Sequence, residues 1–384
     1  MKRITYLEAL TAFQEFLKEN YELRLNDITG KLEIRDLQIE QQHFDELTNV
    51  KLNTLLIHAK INGVPFCDQD MKQYLSSRAI AKYNPFREYL DNLPAPDGED
   101  HVDCIGHCLT EKPTLIAAFH VWARAMVAQM MGFPMQTANS FMPILISAKQ
   151  GMYKTTFCRQ LVPPELQAYY TERLDVSEAG HFQEQLISKY LINLDECDML
   201  MTNEKKMASL KNILTMKEPC YRKLFTNSFV KRQRSASFIG TSNQLDILSD
   251  PSGSRRVGVY LIEKPLDKIP MNHEQFYAQL KAEVERGELL YLTHQQEEEI
   301  QEYNKQFYPI SEPEELFNRC FHLPGLDEPA KAYTAVMLVE IIKRAFPKAA
   351  SGLKAKALSY ALRKVGITPT HTRTGNVFML VENV

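Results

Sequence analysis

The amino-acid sequence predicts an α/β protein, with a parallel-sheet core, a mainly helical region before it and a small domain after it. The core is predicted from short apolar runs that alternate with longer helical or loop stretches. Runs that are apolar on both faces are typical of buried strands in a parallel sheet covered by helices. The length of 384 residues favours two or three domains over a single core. The runs are MPILIS (142–147), YLINLD (190–195), SASFIGTS (235–242) and VGVYLIE (257–263).

Residues 1–110 are predicted to form the mainly helical N-terminal region. Within it, residues 1–30 have the pattern of a helix followed by a turn, and LEIRDLQIE (32–40) is predicted to be a short strand. Residues 41–83 favour helix. The segment 83–100 is rich in Pro, Gly and Asp, which predicts a turn-dense connector.

The remaining residues are predicted to form the core, a helical tail and a final domain. The core covers residues 111–270 and begins with an apolar helix around Trp122. Residues 271–310 favour two polar helices as its tail. Residues 311–384 offer two or three helices and then a hairpin with a tight turn at TGN (374–376), which is typical of a winged helix.

Composition indicates a globular chain without a membrane span. Hydrophobic residues make up 44%, charged residues make up 24%, and the formal net charge is −3. No stretch approaches the roughly 18 uncharged apolar residues that a spanning helix needs. Glu8 and Glu15 argue against a secretory signal near the N-terminus. We therefore expect a cytoplasmic protein with no membrane partner.

The cysteines do not predict a disulfide framework or a zinc site. All seven are scattered along the sequence. The cluster HVDCIGHC (101–108) offers zinc-ligand types, but it lacks the second, distant ligand pair that structural zinc sites usually have. We interpret these side chains as ordinary packing or surface residues.

A candidate phosphate-binding loop follows the first apolar run, in SAKQGMYKTTF (147–157). Such a loop needs backbone N–H groups around the phosphates, followed by a lysine and a hydroxyl that begin a helix. Lys154 and Thr155 supply the last two, and Gly151 permits close backbone approach. Ala148 and Tyr153 replace the two glycines of the pattern G-x-x-x-x-G-K-[ST], so the loop alone could be an accidental match.

Polar residues also follow the next two predicted core strands. YLINLDE ends in the carboxylates Asp195 and Glu196, and SFIGTSN ends in Asn243. Carboxylates after a buried strand suit a metal ion and an attacking water, and an amide can contact a γ-phosphate. Arg255 and Arg256 lie on a Gly/Ser-rich turn, from which an arginine could reach a neighbouring subunit's nucleotide. The alternative interpretations are a solvated acidic turn and ordinary surface arginines.

The order of these motifs resembles that of the ATPase core of virulence-associated E proteins. The order is a strand, QG-x-x-KTTF, LDE, GTSN and SRR. That family is related to superfamily three helicases of phages, plasmids and viruses. The resemblance covers about residues 83–307, because NPFREYLDNLPAPDG and ERGELLYLTHQQEEEIQEYNKQF are similar to the family's connector and helical tail.

The resemblance implies ATP and Mg²⁺ as cofactors and assigns a role to each motif. Thr155 and Asp195 would hold Mg²⁺, Glu196 would orient water, and Asn243 would be the sensor. Arg255 and Arg256 are the finger candidates. Tyr153 places a β-carbon where the family usually has Gly, which puts rapid hydrolysis in question. The expected ATP-binding residues are Ala148, Gln150, Gly151, Met152, Tyr153, Lys154, Thr155 and Thr156.

Two basic stretches are candidate contacts for nucleic acid. The first, residues 205–234, mixes charge with aromatic rings in CYRKLFTNSFVKRQR (220–234), as sequence-tolerant binding of single strands requires. The second, residues 343–373, contains no acidic residue and suits duplex phosphates. A solvated basic face and a protein-docking module are the alternatives. The candidate DNA-binding residues are Arg222, Lys223, Lys231, Arg232, Lys356, Arg363, Lys364 and Arg373.

The predicted function is that of an ATP-dependent DNA helicase or translocase in the replication of a mobile genetic element. We expect a homo-oligomer, in particular a hexamer, that binds single-stranded DNA, with duplex origin DNA as a second candidate ligand. Any primase would be a separate partner. The alternative is a degenerate nucleotide-binding initiator, loader or regulatory DNA-binding module without helicase activity.

Overall fold

The computed structural model describes residues 4–40, 43–174, 181–201, 204–222, 229–249, 254–325, 328–372 and 375–383. The chain separates into two compact units, Met1–Phe307 and Tyr308–Val384. None of the described helices is long and apolar enough to cross a membrane.

The first part of the larger unit combines five helices with a four-stranded sheet in the order β3-β2-β1-β4. Strand β1 pairs antiparallel with β2 and parallel with β4. Helix α1 begins at a capping box between Thr5 and Glu8, and it buries Phe13 and Leu17. The elements are α1 (Tyr6–Asn20), β1 (Tyr21–Asn26), β2 (Leu32–Asp36), β3 (Asp45–Glu46), α2 (Asn49–Ile61), α3 (Asp68–Leu75), β4 (Lys82–Tyr83), α4 (Pro85–Asp91) and α5 (His101–Leu109).

Strand β2 lies within the predicted strand 32–40, but other elements of this part differ from the prediction, including the short strands β3 and β4 in the stretch predicted as helix. Strand β1 occupies residues predicted as helix and turn, so the mainly helical description omits a sheet. The predicted connector contains α4, which begins where the Asn84 side chain accepts from the backbone N–H groups of Phe86 and Arg87. Pro85 favours this start, because the first position of a helix needs no N–H donor.

The core of the larger unit is a five-stranded parallel sheet in the order β11-β5-β10-β7-β6. The four apolar runs form β5, β7, β10 and β11, which confirms the predicted parallel sheet. The short strand β6 was not predicted. The elements are α6 (Pro113–Met131), β5 (Met142–Ile146), α7 (Lys154–Gln160), β6 (Tyr170–Thr171), α8 (His181–Ser188), β7 (Leu191–Leu194), α9 (Asp198–Met201), α10 (Glu204–Thr215), β8 (Cys220–Arg222), β9 (Phe229–Lys231), β10 (Ser237–Ser242), β11 (Val257–Leu261), α11 (His273–Glu285) and α12 (His294–Asn304).

Helix α6 packs against this sheet along most of its length. The Trp122 ring is fully buried, and its Nε1 donates to the carbonyl oxygen of Phe238 at 3.0 Å. Loss of a buried ring of this size typically costs about 3–5 kcal/mol of stability. The helix ends at Gly132, whose φ of 66° is the left-handed conformation that glycine adopts readily. Helix α6 is therefore joined to the sheet by a buried ring and by a hydrogen bond near the start of β10.

The described residues of the smaller unit form three helices and a sheet built around the long strand β15. Strand β15 pairs antiparallel with β12, β13 and β14. Phe317, Leu338, Leu362 and Phe378 are buried in its core. Helices α14 and α15 followed by the β14–β15 hairpin agree with the predicted order, whereas strands β12 and β13 were not predicted. The winged-helix assignment stays a prediction. The elements are α13 (Glu312–Cys320), β12 (Phe321–His322), β13 (Lys331–Thr334), α14 (Ala335–Ala345), α15 (Ala355–Lys364), β14 (Thr370–Thr372) and β15 (Gly375–Glu382).

Candidate active site

The candidate site lies at the carboxyl edge of the parallel sheet, where three strands end side by side. Strand β5 leads into the loop before α7, β7 leads to Asp195, and β10 leads to Asn243. Because β10 pairs with both β5 and β7, its end lies between the loop and the carboxylates. Ligands of open parallel sheets usually bind at this edge.

Lys154 is the first residue of α7 and is only 8% exposed. Its Nζ donates to Ser147 Oγ at 2.5 Å and to Asn243 Oδ1 at 2.9 Å. Burial lowers the pKa of this ammonium, while the carboxylates of Asp195 and Asp198 oppose that effect. The lysine therefore joins the loop to the end of β10. Its ammonium is bonded to a hydroxyl and an amide oxygen, which are both uncharged.

Thr155 and Asp195 form the second contact between strand ends. Thr155 Oγ1 donates to Asp195 Oδ1 at 2.8 Å, and Thr241 Oγ1 donates to the same oxygen at 2.5 Å. Hydroxyl and carboxylate oxygens are the ligand types that Mg²⁺ prefers. The donor set at this position therefore fits the implied ion.

The loop between β5 and α7 contains two residues with positive φ. Gly151 has a φ of 74°, and Tyr153 has a φ of 58° with a half-exposed ring. Met152 is buried, and its carbonyl oxygen accepts from the N–H of Leu266 at 3.1 Å, which anchors the loop. The other predicted loop residues, Ala148, Gln150 and Thr156, are exposed.

The segment after β7 is bonded to the end of β10 by contacts that sequence analysis missed. The N–H of Cys197 donates to the Thr241 carbonyl oxygen at 3.0 Å, and Ser242 Oγ donates to Asp198 Oδ1. Gly240 leaves the space for this approach, because a β-carbon there would lie 3.3 Å from Cys197 Sγ. The polar side chains in and near the motifs could have indicated these contacts from the sequence. They are the hydroxyls of Ser147, Thr241 and Ser242 and the carboxylate of Asp198.

Arg255 and Arg256 do not join this cluster. They lie in a 3₁₀ turn directly before β11, and β11 runs parallel to β5. Their end of the sheet is therefore opposite to the end that carries Lys154, and a strand of five residues separates the two ends by roughly 16 Å. Burial lowers the pKa of Arg256, the neighbouring Arg255 lowers it further, and Glu297 opposes this.

Strands β8 and β9 of the first basic stretch form an antiparallel pair. Lys231 on β9 pairs with Glu218 at 3.0 Å, and Arg232 donates to the Asp27 carbonyl oxygen. Arg234 is different, because its guanidinium is fully buried. Lys223 and the Arg222 side chain lie outside the described residues.

Lys356 and Arg363 are exposed on α15 of the smaller unit. Arg373 and the Lys364 side chain lie outside the described part of the chain. None of the DNA-binding assignments is tested by these positions.

A second polar cluster, between α5, α6 and α11, could be mistaken for a metal site. The ligand atoms of Asp100, Asp103 and His120 lie within 4.8 Å of one another. However, His120 Nδ1 is 2.7 Å from Asp103 Oδ1, and its Nε2 is 2.9 Å from Glu283 Oε2. Burial lowers the pKa of His120, but the hydrogen bonds with Glu283 and Asp103 outweigh burial and raise it. The cluster is therefore an ion-pair network that joins three helices.

Comparisons with known proteins find one family and several solved structures. The model of the virulence-associated protein E-like domain matches residues 96–309. No curated protein matches the chain. The apo structure of the NrS-1 C-terminal region is 13% identical, with a TM-score of 0.47, and the match covers 98% of this chain and 99% of that one. An A-form apo structure of that region is 15% identical, with a TM-score of 0.42, and the match covers 76% of this chain and 71% of that one.

Proposed function

Because this chain belongs to the virulence-associated protein E-like domain family, we propose that it is an ATP-dependent DNA helicase or translocase in the replication of a mobile genetic element. One observation carries the proposal: two contacts join the three strand ends. Lys154 contacts Asn243 at 2.9 Å, and Thr155 contacts Asp195 at 2.8 Å. An ammonium, a hydroxyl, a carboxylate and an amide in one cluster are groups that phosphoryl transfer from ATP uses.

Each group has a separate task in this proposal. Thr155 and Asp195 hold Mg²⁺, which when bound supplies charge neutralisation at the phosphates. Lys154 binds β- and γ-phosphate oxygens with its ammonium, and the Asn243 amide contacts the γ-phosphate. Glu196 follows the metal-binding carboxylate directly and is exposed, so it orients the attacking water and accepts its proton.

Two further features support a ring-forming motor that acts on DNA. Arg255 and Arg256 lie at the sheet edge opposite to the phosphate loop, so they suit a neighbouring subunit's site better than their own. The β8–β9 hairpin precedes β10 and carries the exposed Lys231, whose charge suits the backbone of single-stranded DNA. We therefore favour a homo-oligomer, in particular a hexamer.

The backbone at Tyr153 favours a second candidate function. A side chain in the left-handed conformation costs about 1–2 kcal/mol, which glycine would avoid. A loop with this strain could bind nucleotide without rapid turnover. The chain would then be a degenerate nucleotide-binding initiator, loader or regulator.

Steady-state ATPase assays with and without single-stranded DNA distinguish these functions. Lys154→Ala should reduce hydrolysis at least about 100-fold, because the charge that stabilises the phosphates is lost. Glu196→Gln should bind a fluorescent ATP analogue normally while turnover stops. Lys268→Ala, which removes an exposed charge elsewhere in the same unit, is the matched control. Nucleotide binding without hydrolysis by the wild type would establish the second function, and equal hydrolysis by all variants would reject this site.

A further inference from the structure

We propose that α15 of the smaller unit enters the major groove of duplex DNA. In this arrangement Lys356 and Arg363 bind phosphates, and Tyr360 contacts base edges. This function goes beyond ATP hydrolysis, and it belongs to a unit that does not contain the nucleotide site.

Three exposed side chains of α15 lie on one face of the helix. Lys356, Tyr360 and Arg363 follow the spacing i, i+4, i+7, which places them one above another. Tyr360 is 73% exposed. Leu358 and Leu362, on the other face, are fully buried in the core of the unit. The Tyr360 side chain, which lies between the two cations, therefore does not pack in the core and is available to a ligand.

The beginning of α15 adds a second phosphate-binding feature. Its N-cap residue, Lys354, makes no side-chain capping hydrogen bond, whereas the Thr334 side chain caps α14 in the same unit. The first N–H groups of α15 can therefore donate to a phosphate, close to the charges of Lys354 and Lys356. The stretch from 343 to 373 contains no acidic residue to oppose this charge.

The shape of the element favours duplex DNA over duplex RNA or an acidic protein. A helix fits the major groove of B-form DNA, which is about 12 Å wide, but not the deep, narrow major groove of A-form RNA. The ten residues of α15 span roughly 15 Å, which is enough to follow that groove for several base pairs. A tyrosine ring can contact a thymine methyl group, and its hydroxyl can bond to a base edge, whereas an acidic protein surface needs only the cations.

Fluorescence anisotropy of the full chain with a random-sequence 30-base-pair duplex tests the phosphate contacts. We expect Lys356→Ala with Arg363→Ala to weaken duplex binding about tenfold and to reduce the slope of log affinity against log salt by about two. Lys72→Ala with Arg78→Ala removes the same charges from the exposed surface of the larger unit and should change neither. Equal effects of the two pairs, or no effect of the first pair, would overturn the proposal.

Selection of bound duplexes from the random pool tests the role of Tyr360. The wild type should enrich a sequence, and Tyr360→Ala should lose that enrichment while it keeps the salt slope. Because Tyr360 is exposed, thermal unfolding of this variant should match the wild type. Retained enrichment by Tyr360→Ala, or binding of polyglutamate in place of duplex, would reject base reading by α15. Basal ATPase activity should be unchanged in every α15 variant, so a failure here leaves the nucleotide site untouched.

Discussion

Backbone strain is concentrated in the candidate nucleotide site. Tyr153 and Glu196 are the non-glycine residues with positive φ in the described part of the chain, at 58° and 49°. Such conformations cost about 1–3 kcal/mol each and persist where the surrounding structure holds them. One of them lies in the phosphate loop, and the other carries the carboxylate proposed to orient water. The strain therefore supports a functional role for both segments.

Asp198 is a candidate positioning residue that acts through Ser242. Ser242 Oγ donates to its carboxylate, and Ser242 Oγ also accepts from the N–H of Gln244 at 2.9 Å. These bonds lie on both sides of Asn243 in the chain. They should hold the amide of Asn243 where it meets the γ-phosphate.

Asp198→Ala should lower kcat for ATP about tenfold with little change in KM, since the amide acts chiefly in the transition state. Asp198→Asn retains an acceptor oxygen for Ser242 and should recover most of kcat. Adding Asp198→Ala to Ser242→Ala should cause no further loss, because Ser242→Ala already removes the hydroxyl through which Asp198 acts. Asp267→Ala is a control for removal of an exposed carboxylate. Additive losses in steady-state kinetics would show that Asp198 does not act through Ser242.

At the scale of elements, the β8–β9 hairpin has a firmly anchored base. The Arg234 guanidinium donates to the carbonyl oxygens of Leu214 at 2.8 Å and Asn139 at 3.0 Å. Burial lowers its pKa to about 9, so the group stays charged at neutral pH. Arg234 therefore binds the end of α10 to the segment before β10. Its charge is structural, in contrast to that of the exposed Lys231 on β9.

Changing Arg222, Lys223 and Lys231 to Ala should weaken single-stranded DNA binding and reduce its salt dependence. Fewer counterions are released from the DNA when three cations are lost, so the slope of log affinity against log salt should fall by about two. Stimulation of the ATPase by single-stranded DNA should fall in parallel. The control triple Lys72→Ala, Arg78→Ala and Lys268→Ala removes exposed charges elsewhere in the same unit. If the hairpin variant binds single-stranded DNA and is stimulated by it as the wild type is, the contact with single-stranded DNA lies elsewhere in the protein.

At the scale of the whole molecule, the direction of the sheet separates the arginines from the phosphate loop. Strands β5 and β11 are parallel neighbours, with Met142 opposite Val257 and Ile146 opposite Leu261. Residues before β11 and residues after β5 must therefore lie at opposite edges. Arg255 and Arg256 can complete a nucleotide site only if a second subunit presents its carboxyl edge to them.

Arg255→Ala or Arg256→Ala should cripple the ATPase but leave the nucleotide affinity of isolated monomers intact. Mixing either variant with Glu196→Gln protein should restore part of the activity, since some interfaces then pair an intact arginine with an intact Glu196. ATPase rates across mixing ratios, with subunit exchange verified by energy transfer, provide the measurement. Arg286→Ala is a matched control for loss of an exposed arginine. If the ATPase rate stays at background at every mixing ratio although the subunits exchange, the arginine does not act on a neighbouring subunit's site.

Four of the five strands of the parallel sheet, and the motifs that follow them, could be predicted from the amino-acid sequence. Buried strands must be apolar on both faces, so β5, β7, β10 and β11 were visible as apolar runs. Of the N-terminal sheet, β2 was predicted within residues 32–40, whereas β1 was not visible, because it is half-buried and its pairing partners lie elsewhere in the chain. Helix α4 was hidden because Pro85 also marks turns, and only the Asn84 cap shows that it begins a helix.

Which polar residues meet depends on the order of the strands in the folded sheet. The strand order places β10 between β5 and β7, and this brings Lys154 to Asn243 although 89 positions separate them. The same order bonds Ser242 to Asp198 and sends Arg255 and Arg256 to the opposite edge. Local patterns report whether a segment is buried and how it ends. They do not report which strands become neighbours, because that choice depends on the packing of the whole sheet.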